Sequence, residues 1–228
     1  MANSATLSQL RTRIREQSDM KNSDFISDSE LLSYINASYA ELYDIMVQTY
    51  EDYYVTSTTF SLTSSDNGVY ALPSDFSKLR GVDYQLGGEY VTLYPFDWNS
   101  RNARQRSVNR LYLGDLNLVY RIVGSNLRIE PRDNAVGDYQ LWYCPSFTPL
   151  SADGDLVDSH MARNGWEEYI VVDVAIKCLA KEESNTAHLL LAKDQIKKRI
   201  ESAAGDRDMD QPERISDVNR NGRGGNVW

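Results

Sequence analysis

The apolar positions of this chain change period twice, from helical to alternating and back to helical. Leu7, Leu10 and Ile14 share one helical face, with Arg11 and Arg15 off it. Thr6-Leu7-Ser8-Gln9 has the form of a capping box, so a helix should start at Thr6 and end near Asp19. Ser27-Asp28-Ser29-Glu30 is a second capping box, and Ile26 with Leu31 makes a hydrophobic staple around it. Leu31, Ile35, Leu42, Ile45 and Met46 continue that stripe, broadened by Tyr34, Tyr39, Tyr43 and Tyr50. The spacing predicts a long helix running to about Glu51.

From Tyr54 the pattern alternates. Tyr54, Thr56, Thr58, Phe60 and Leu62 form one face of a β-branched strand. Ser65-Asp66-Asn67-Gly68 is a turn, followed by a short run from Val69 to Leu72 that Pro73 ends. Val82, Tyr84 and Leu86 lead through Gly87-Gly88 to the run from Tyr90 to Tyr94, a glycine-turn hairpin. A second hairpin joins Leu116–Val123 to Leu127–Glu130, and Tyr139 to Cys144 closes the set. The polar, arginine-rich stretch from Trp98 to Arg110 reads as a loop or short helix.

Helical spacing returns at Asn164-Gly165-Trp166-Glu167, read as an asparagine cap. Ile170, Val171, Val174, Ala175, Cys178 and Leu179 form a stripe of period 3.6. After Ser184-Asn185 a fourth helix should place Leu189, Ile196 and Ile200 inward, with Lys193, Lys197 and Lys198 outward and Asp194 paired to Lys198. Past Gly205 the stripe stops, and a segment that polar cannot build a core alone. The expected fold is α+β: a four-helix bundle of N- and C-terminal helices with an inserted antiparallel β-domain and an extended C-terminal tail. Its expected divisions are residues 1–52, 53–150, 151–204 and 205–228.

Composition narrows the chemistry. The chain has 228 residues and a net charge of −9, which opposes sequence-independent gripping of nucleic acid and suits a wall past which DNA slides. The start Met-Ala-Asn-Ser-Ala-Thr lacks the basic and apolar regions of a signal peptide, and no apolar run nears the ~20 residues of a membrane span, so cytoplasmic synthesis is expected. Fifteen tyrosines stand against five phenylalanines, an excess that fits either contact surfaces or half-buried strands.

Few residues offer catalysis. There is no Gly-Lys-Ser/Thr phosphate loop and no dinucleotide fingerprint, and Gly222-Arg223-Gly224-Gly225 lies in the polar tail. Only two histidines occur; His160 follows Asp153, Asp155 and Asp158, but the twelfth position of a calcium loop counted from Asp153 is Asn164, not an acid. His188 has no cysteine or carboxylate at ligand spacing. Cys144 and Cys178 read as reduced core residues, and no serine sits in a nucleophile elbow. The pairs Glu167/Glu168 and Glu182/Glu183 point about 100° apart if helical, which suits surface charge better than shared chemistry. No enzyme, metal or cofactor is expected. A glycan- or peptide-binding β-module is the alternative, and a carboxylate hydrolase a third.

Two segments look suited to partners instead. Arg101, Arg104, Arg106 and Arg110 form the basic cluster of an acidic chain, facing DNA or an acidic protein surface. In the tail Arg207, Arg214, Ile215, Val218, Arg220, Arg223, Val227 and Trp228 interleave cations with sparse anchors, as in segments that order on binding.

The chain resembles the head-to-tail adaptor (connector, upper tail-tube) proteins of tailed bacteriophages. The resemblance lies in Ser29-Glu-Leu-Leu-Ser-Tyr-Ile-Asn-Ala-Ser-Tyr-Ala-Glu-Leu-Tyr-Asp44 and Tyr70-Ala-Leu-Pro-Ser-Asp-Phe-Ser-Lys-Leu-Arg-Gly-Val-Asp83. It continues in Tyr139-Gln-Leu-Trp-Tyr-Cys-Pro145 and in the segment from Trp166 to Glu183. It implies a homo-oligomeric ring, usually of twelve subunits, in the virion neck. The portal protein would lie above, a nozzle or tail-tube protein below, and genomic DNA would pass through the lumen. The tail would then reach the portal.

Overall fold

The computed structural model describes residues 4–21, 25–102 and 118–205. These hold five α-helices and eight strands: α1 (Leu7–Gln17), α2 (Asp28–Thr49), α3 (Ser159–Arg163), α4 (Glu168–Lys181) and α5 (Ala187–Gly205), with β1 (Thr56–Leu62), β2 (Val69–Ala71), β3 (Phe76–Leu86), β4 (Glu89–Thr92), β5 (Tyr94–Pro95), β6 (Val119–Val123), β7 (Asn126–Glu130) and β8 (Gly137–Pro145). The chain is α+β, but the expected four-helix bundle with an antiparallel β-domain is not what forms. A fifth helix, α3, intervenes, and α4 is the hub that packs on α1, α2 and α5. The strands make two four-stranded sheets, ordered β1-β8-β3-β4 and β2-β7-β6-β5. The second is mixed, because β5 runs parallel to β6. A parallel pair needs a connection of a dozen or more residues, and the long segment between Pro95 and Val119 supplies it.

Local chemistry explains most boundaries. The Thr6 box forms in full: Gln9 N–H donates to the Thr6 hydroxyl at 3.2 Å, and Thr6 N–H donates to Gln9 Oε1 at 2.9 Å. At α2 only half of the expected box forms. Ser27 accepts from Glu30 N–H at 3.3 Å, while the Glu30 carboxylate turns to Lys181 and Tyr34. Asn164 is not the start of a helix. It ends α3, Gly165 turns the chain at φ +67°, and α4 begins after Glu167. Only glycine takes that backbone conformation at no steric cost, so the glycine, rather than the asparagine, marks the boundary.

The helical core gathers Leu7, Leu10, Ile14, Ile35, Leu42, Met46, Trp166, Tyr169 and Ile170, each at most 2 % exposed. Full burial of one such side chain is worth about 2 kcal/mol. A separate core between the sheets holds Phe60, Val82, Leu127, Ile129, Tyr139 and Leu141. One tie between the two parts is the Tyr43 hydroxyl, which donates to the Pro145 carbonyl at 2.6 Å.

Candidate functional site: surfaces for partners

The acidic loop before α3 is occupied by its own structure. Asp155 Oδ2 accepts from Ser151 and Ala152 N–H at 2.7 and 2.8 Å, and these backbone bonds hold its carboxyl below the usual aspartate range. Asp153 pairs with Arg11. Asp158 caps α3 by accepting from His160 N–H at 2.8 Å, and it also accepts from the Tyr54 hydroxyl at 3.2 Å. Leu7 N–H donates to the Asp155 carbonyl, and Val157 N–H to the Ala5 carbonyl, so the loop straps the start of α1 to the C-terminal helices. Among the described residues no group of three or more His, Cys, Asp or Glu is placed to hold a metal ion.

Glu167 and Glu168 reach one side chain without sharing an atom of it: Glu167, just before α4, keeps a helical backbone, and the two terminal guanidinium nitrogens of Arg13 span the gap between the carboxylates. They meet on Arg13, Glu167 at 3.6 Å and Glu168 in direct contact, so the pair is a salt bridge between α1 and α4. His160 lies edge-on to Tyr53 and Tyr54, with ring centroids at 5.6 and 5.8 Å. Both cysteines are buried, and burial pushes the Cys178 thiol up to about 11, far from a reactive thiolate.

Tyrosine placement favours the interior and half-buried positions such as Tyr34, Tyr54, Tyr70 and Tyr84. Tyr39, Tyr43, Tyr139, Tyr143 and Tyr169 are buried, and among the described tyrosines only Tyr90 and Tyr94 are exposed. Tyr39, Tyr43 and Tyr54 line an open groove of about 520 Å³ with Phe147, Pro145 and Pro149. Burial pushes the Tyr43 hydroxyl up to about 12, and burial and then Asp158 raise that of Tyr54, so both remain neutral donors. Most of the tyrosine excess therefore builds cores and walls rather than contact surface.

A buried polar knot joins three helices. Asp173, 4 % exposed, accepts from Lys177 and Lys193, each at 2.7 Å, and from the Ser38 hydroxyl. Lys193 also reaches Glu41 at 3.1 Å, and Tyr169 donates to Glu41 at 2.6 Å. Burial works to raise the Asp173 carboxyl, but the bonds from Lys177, Lys193 and Ser38 outweigh it and hold the group below its usual value. Lys193 was expected to face outward; its long stem instead lets it turn to Asp173. Asp194 and Lys198 pair at 2.7 Å as expected.

Of the arginine cluster, Arg101 is half-buried, over the Trp98 ring at 5.1 Å and donating to the Trp98 carbonyl at 3.1 Å. Arg104, Arg106 and Arg110 lie outside the described residues, as do all the tail candidates: Arg207, Arg214, Ile215, Val218, Arg220, Arg223, Val227 and Trp228. The structure adds an apolar surface that periodicity did not single out. Leu86 at the end of β3 and Tyr90, Val91 and Tyr94 along β4 and β5 are 47–72 % exposed, and Leu190 and Leu191 are 52 % and 69 % exposed on α5. Three consecutive leucines on a helix carry a readable signal, since they span about 200° and cannot all face one core.

No helix among the described residues is long and apolar enough to cross a membrane. A comparison with curated proteins returns no match. A comparison with protein families does return one: residues 5–221 match the family described as SU10 adaptor protein. The match spans the α1 capping box, both sheets and every helix, in agreement with the resemblance to phage head-to-tail adaptors. The chain belongs to the SU10 adaptor protein family.

Proposed function

We propose that this chain is a structural, non-catalytic subunit of a phage neck, forming a ring that joins the portal protein to a nozzle or tail-tube protein. The observation that carries the reading is the family match over residues 5–221, which leaves almost none of the chain to another role. Exposed apolar side chains on β4, β5 and α5 give such a subunit apolar area to bury against neighbours. The net charge of −9 suits a lumen that DNA crosses without sticking. The ring is a homo-oligomer of about twelve copies on the resemblance above. It acts in the virion after synthesis in the host cytoplasm, with no cofactor.

Within this reading the segment 205–228 docks on the portal, using its arginines as charge partners and Trp228 as an apolar anchor. The cluster Arg101, Arg104, Arg106 and Arg110 faces DNA or an acidic partner. Deleting residues 206–228 should abolish co-purification with the portal protein while leaving the circular-dichroism spectrum unchanged. Retained co-purification would remove the tail from the interface.

A further inference from the structure

Among the described residues, both edges of the second sheet, β2 and β5, carry a feature that discourages pairing with another chain. β5 is two residues long and contains Pro95. β2 is three residues long, and Pro73 follows it closely. In the first sheet the edge β4 is short, four residues, but Tyr90, Val91 and Thr92 are uncharged and exposed, and it holds no proline. β1, the other edge of that sheet, is longer: its seven residues, Thr56 to Leu62, contain no charge and no proline, and among the described residues it pairs with β8 alone. An edge of that length and neutrality is a template for strand addition, and folded proteins normally blunt it.

The sheet's own geometry selects what can be added. β1 is antiparallel to β8, β8 to β3 and β3 to β4, so the two edges run in opposite directions. A second copy set beside the first, with the sheet facing the same way, therefore brings its β4 antiparallel to β1 without any reversal. The faces also match. Thr59, Gln140, Asp83 and Thr92 lie in one row across the sheet, so Thr59 on one edge and Tyr90 and Thr92 on the other stand on the same face. Ser57, Thr59, Ser61, Tyr90 and Thr92 are all exposed there. Hydroxyl and β-branched side chains opposite a tyrosine are favourable cross-strand neighbours.

We propose that the uncharged edge of β1 receives β4 of a second copy of this chain, so that neighbouring subunits share one continuous antiparallel sheet. The choice of a second copy rests on the ring proposed above. Pairing of β1 with another β1 would close a two-fold dimer, whereas β1 with β4 is a head-to-tail contact that can propagate around a ring. Four paired residues bury far less than the roughly 1,200 Å² of a stable complex. The free chain is accordingly monomeric, and the strands join when subunits are held side by side.

Thr59→Cys and Tyr90→Cys place thiols on one face at opposite edges, while the native Cys144 and Cys178 are buried. A short bismaleimide cross-linker tolerates a two-residue shift of register. It is applied to the concentrated free chain and to the chain mixed with portal protein. The double variant should give a ladder of trimers and larger species, an equal mixture of the single variants a dimer, and each single variant alone no product. A dimer from Thr59→Cys alone, or no ladder in either sample, overturns the inference. Rings on the portal without a ladder remove this contact and keep the proposed function; a ladder without portal binding does the opposite.

Discussion

Asp173 shows how much one side chain can hold together. It sits on the apolar stripe of α4, yet its carboxylate collects Lys177 from its own helix, Lys193 from α5 and Ser38 from α2. Removing one member of a buried ion pair strands the others without a counter-charge, which typically costs 3–5 kcal/mol. Lys177 and Lys193 are 32 % and 23 % exposed, so water relieves part of that cost. Asp173→Ala should lose about 2–3 kcal/mol in urea unfolding, a discounted share of the fully buried figure. The pH dependence has a definite sign. The folded carboxyl titrates below its unfolded value, so its stabilisation is complete above about pH 4 and is lost as pH falls through the folded value. Between pH 5 and 3 the wild type should therefore lose more stability than Asp173→Asn; equal losses would mean that the ion pairs contribute nothing.

At the scale of elements, Gly68 joins β1 to the second sheet at a point where no other residue fits. Its φ is +68°, and a Cβ there would lie 2.4 Å from the Ile129 carbonyl oxygen, while the Gly68 carbonyl accepts from Ile129 N–H at 2.8 Å. The obstacle is backbone, which cannot swing aside. Gly68→Ala should cost about 2 kcal/mol or more, from positive-φ strain plus displacement of the β2–β7 ladder, read as a lowered melting temperature. On α5 the leucine triplet predicts a contrast of its own. Leu189, 2 % exposed, packs on Val172 and Ala175, whereas Leu191 is 69 % exposed. Leu189→Ala should cost about 2–3 kcal/mol, and Leu191→Ser should stay within about 0.5 kcal/mol of wild type. If Leu191→Ser destabilises as much as Leu189→Ala, its side chain is structural rather than available to a partner.

For the whole molecule, the helical part meets the sheets at the end of α2 and the residues after β8, where the Tyr39–Tyr43–Tyr54 groove opens. Tyr43 donates to the Pro145 carbonyl there, and Tyr39 meets Phe147 edge-on at 5.8 Å. The assembly prediction belongs at this scale. Light scattering should show a mass near one chain alone and a multiple of it, near twelve copies, with portal protein. A chain that stays at one copy beside the portal under all conditions would end the ring reading. On the proposed reading of the arginine cluster, Arg104→Glu combined with Arg106→Glu should reduce DNA retention or tail joining, and virions with normal DNA content and tails would remove those arginines from any such role.

The sequence alone located most of the helices and strands, though not α3 or the start of α4, because period, capping boxes and glycine turns are local. The Thr6 box, the α2 stripe, the Gly87-Gly88 hairpin and the Asp194–Lys198 pair all follow from side chains within a few residues of one another. It also carried the family, through motifs spread over the chain and matched as a whole. Tertiary structure alone decided what depends on distant partners. The parallel pairing of β5 with β6, the turn of Lys193 toward Asp173 and the convergence of Glu167 and Glu168 on Arg13 each join residues far apart in the chain or around a helix. Helical spacing says which way a side chain leaves its own axis. It does not say which charge waits on the neighbouring helix, nor which edge of a sheet is left without a strand beside it.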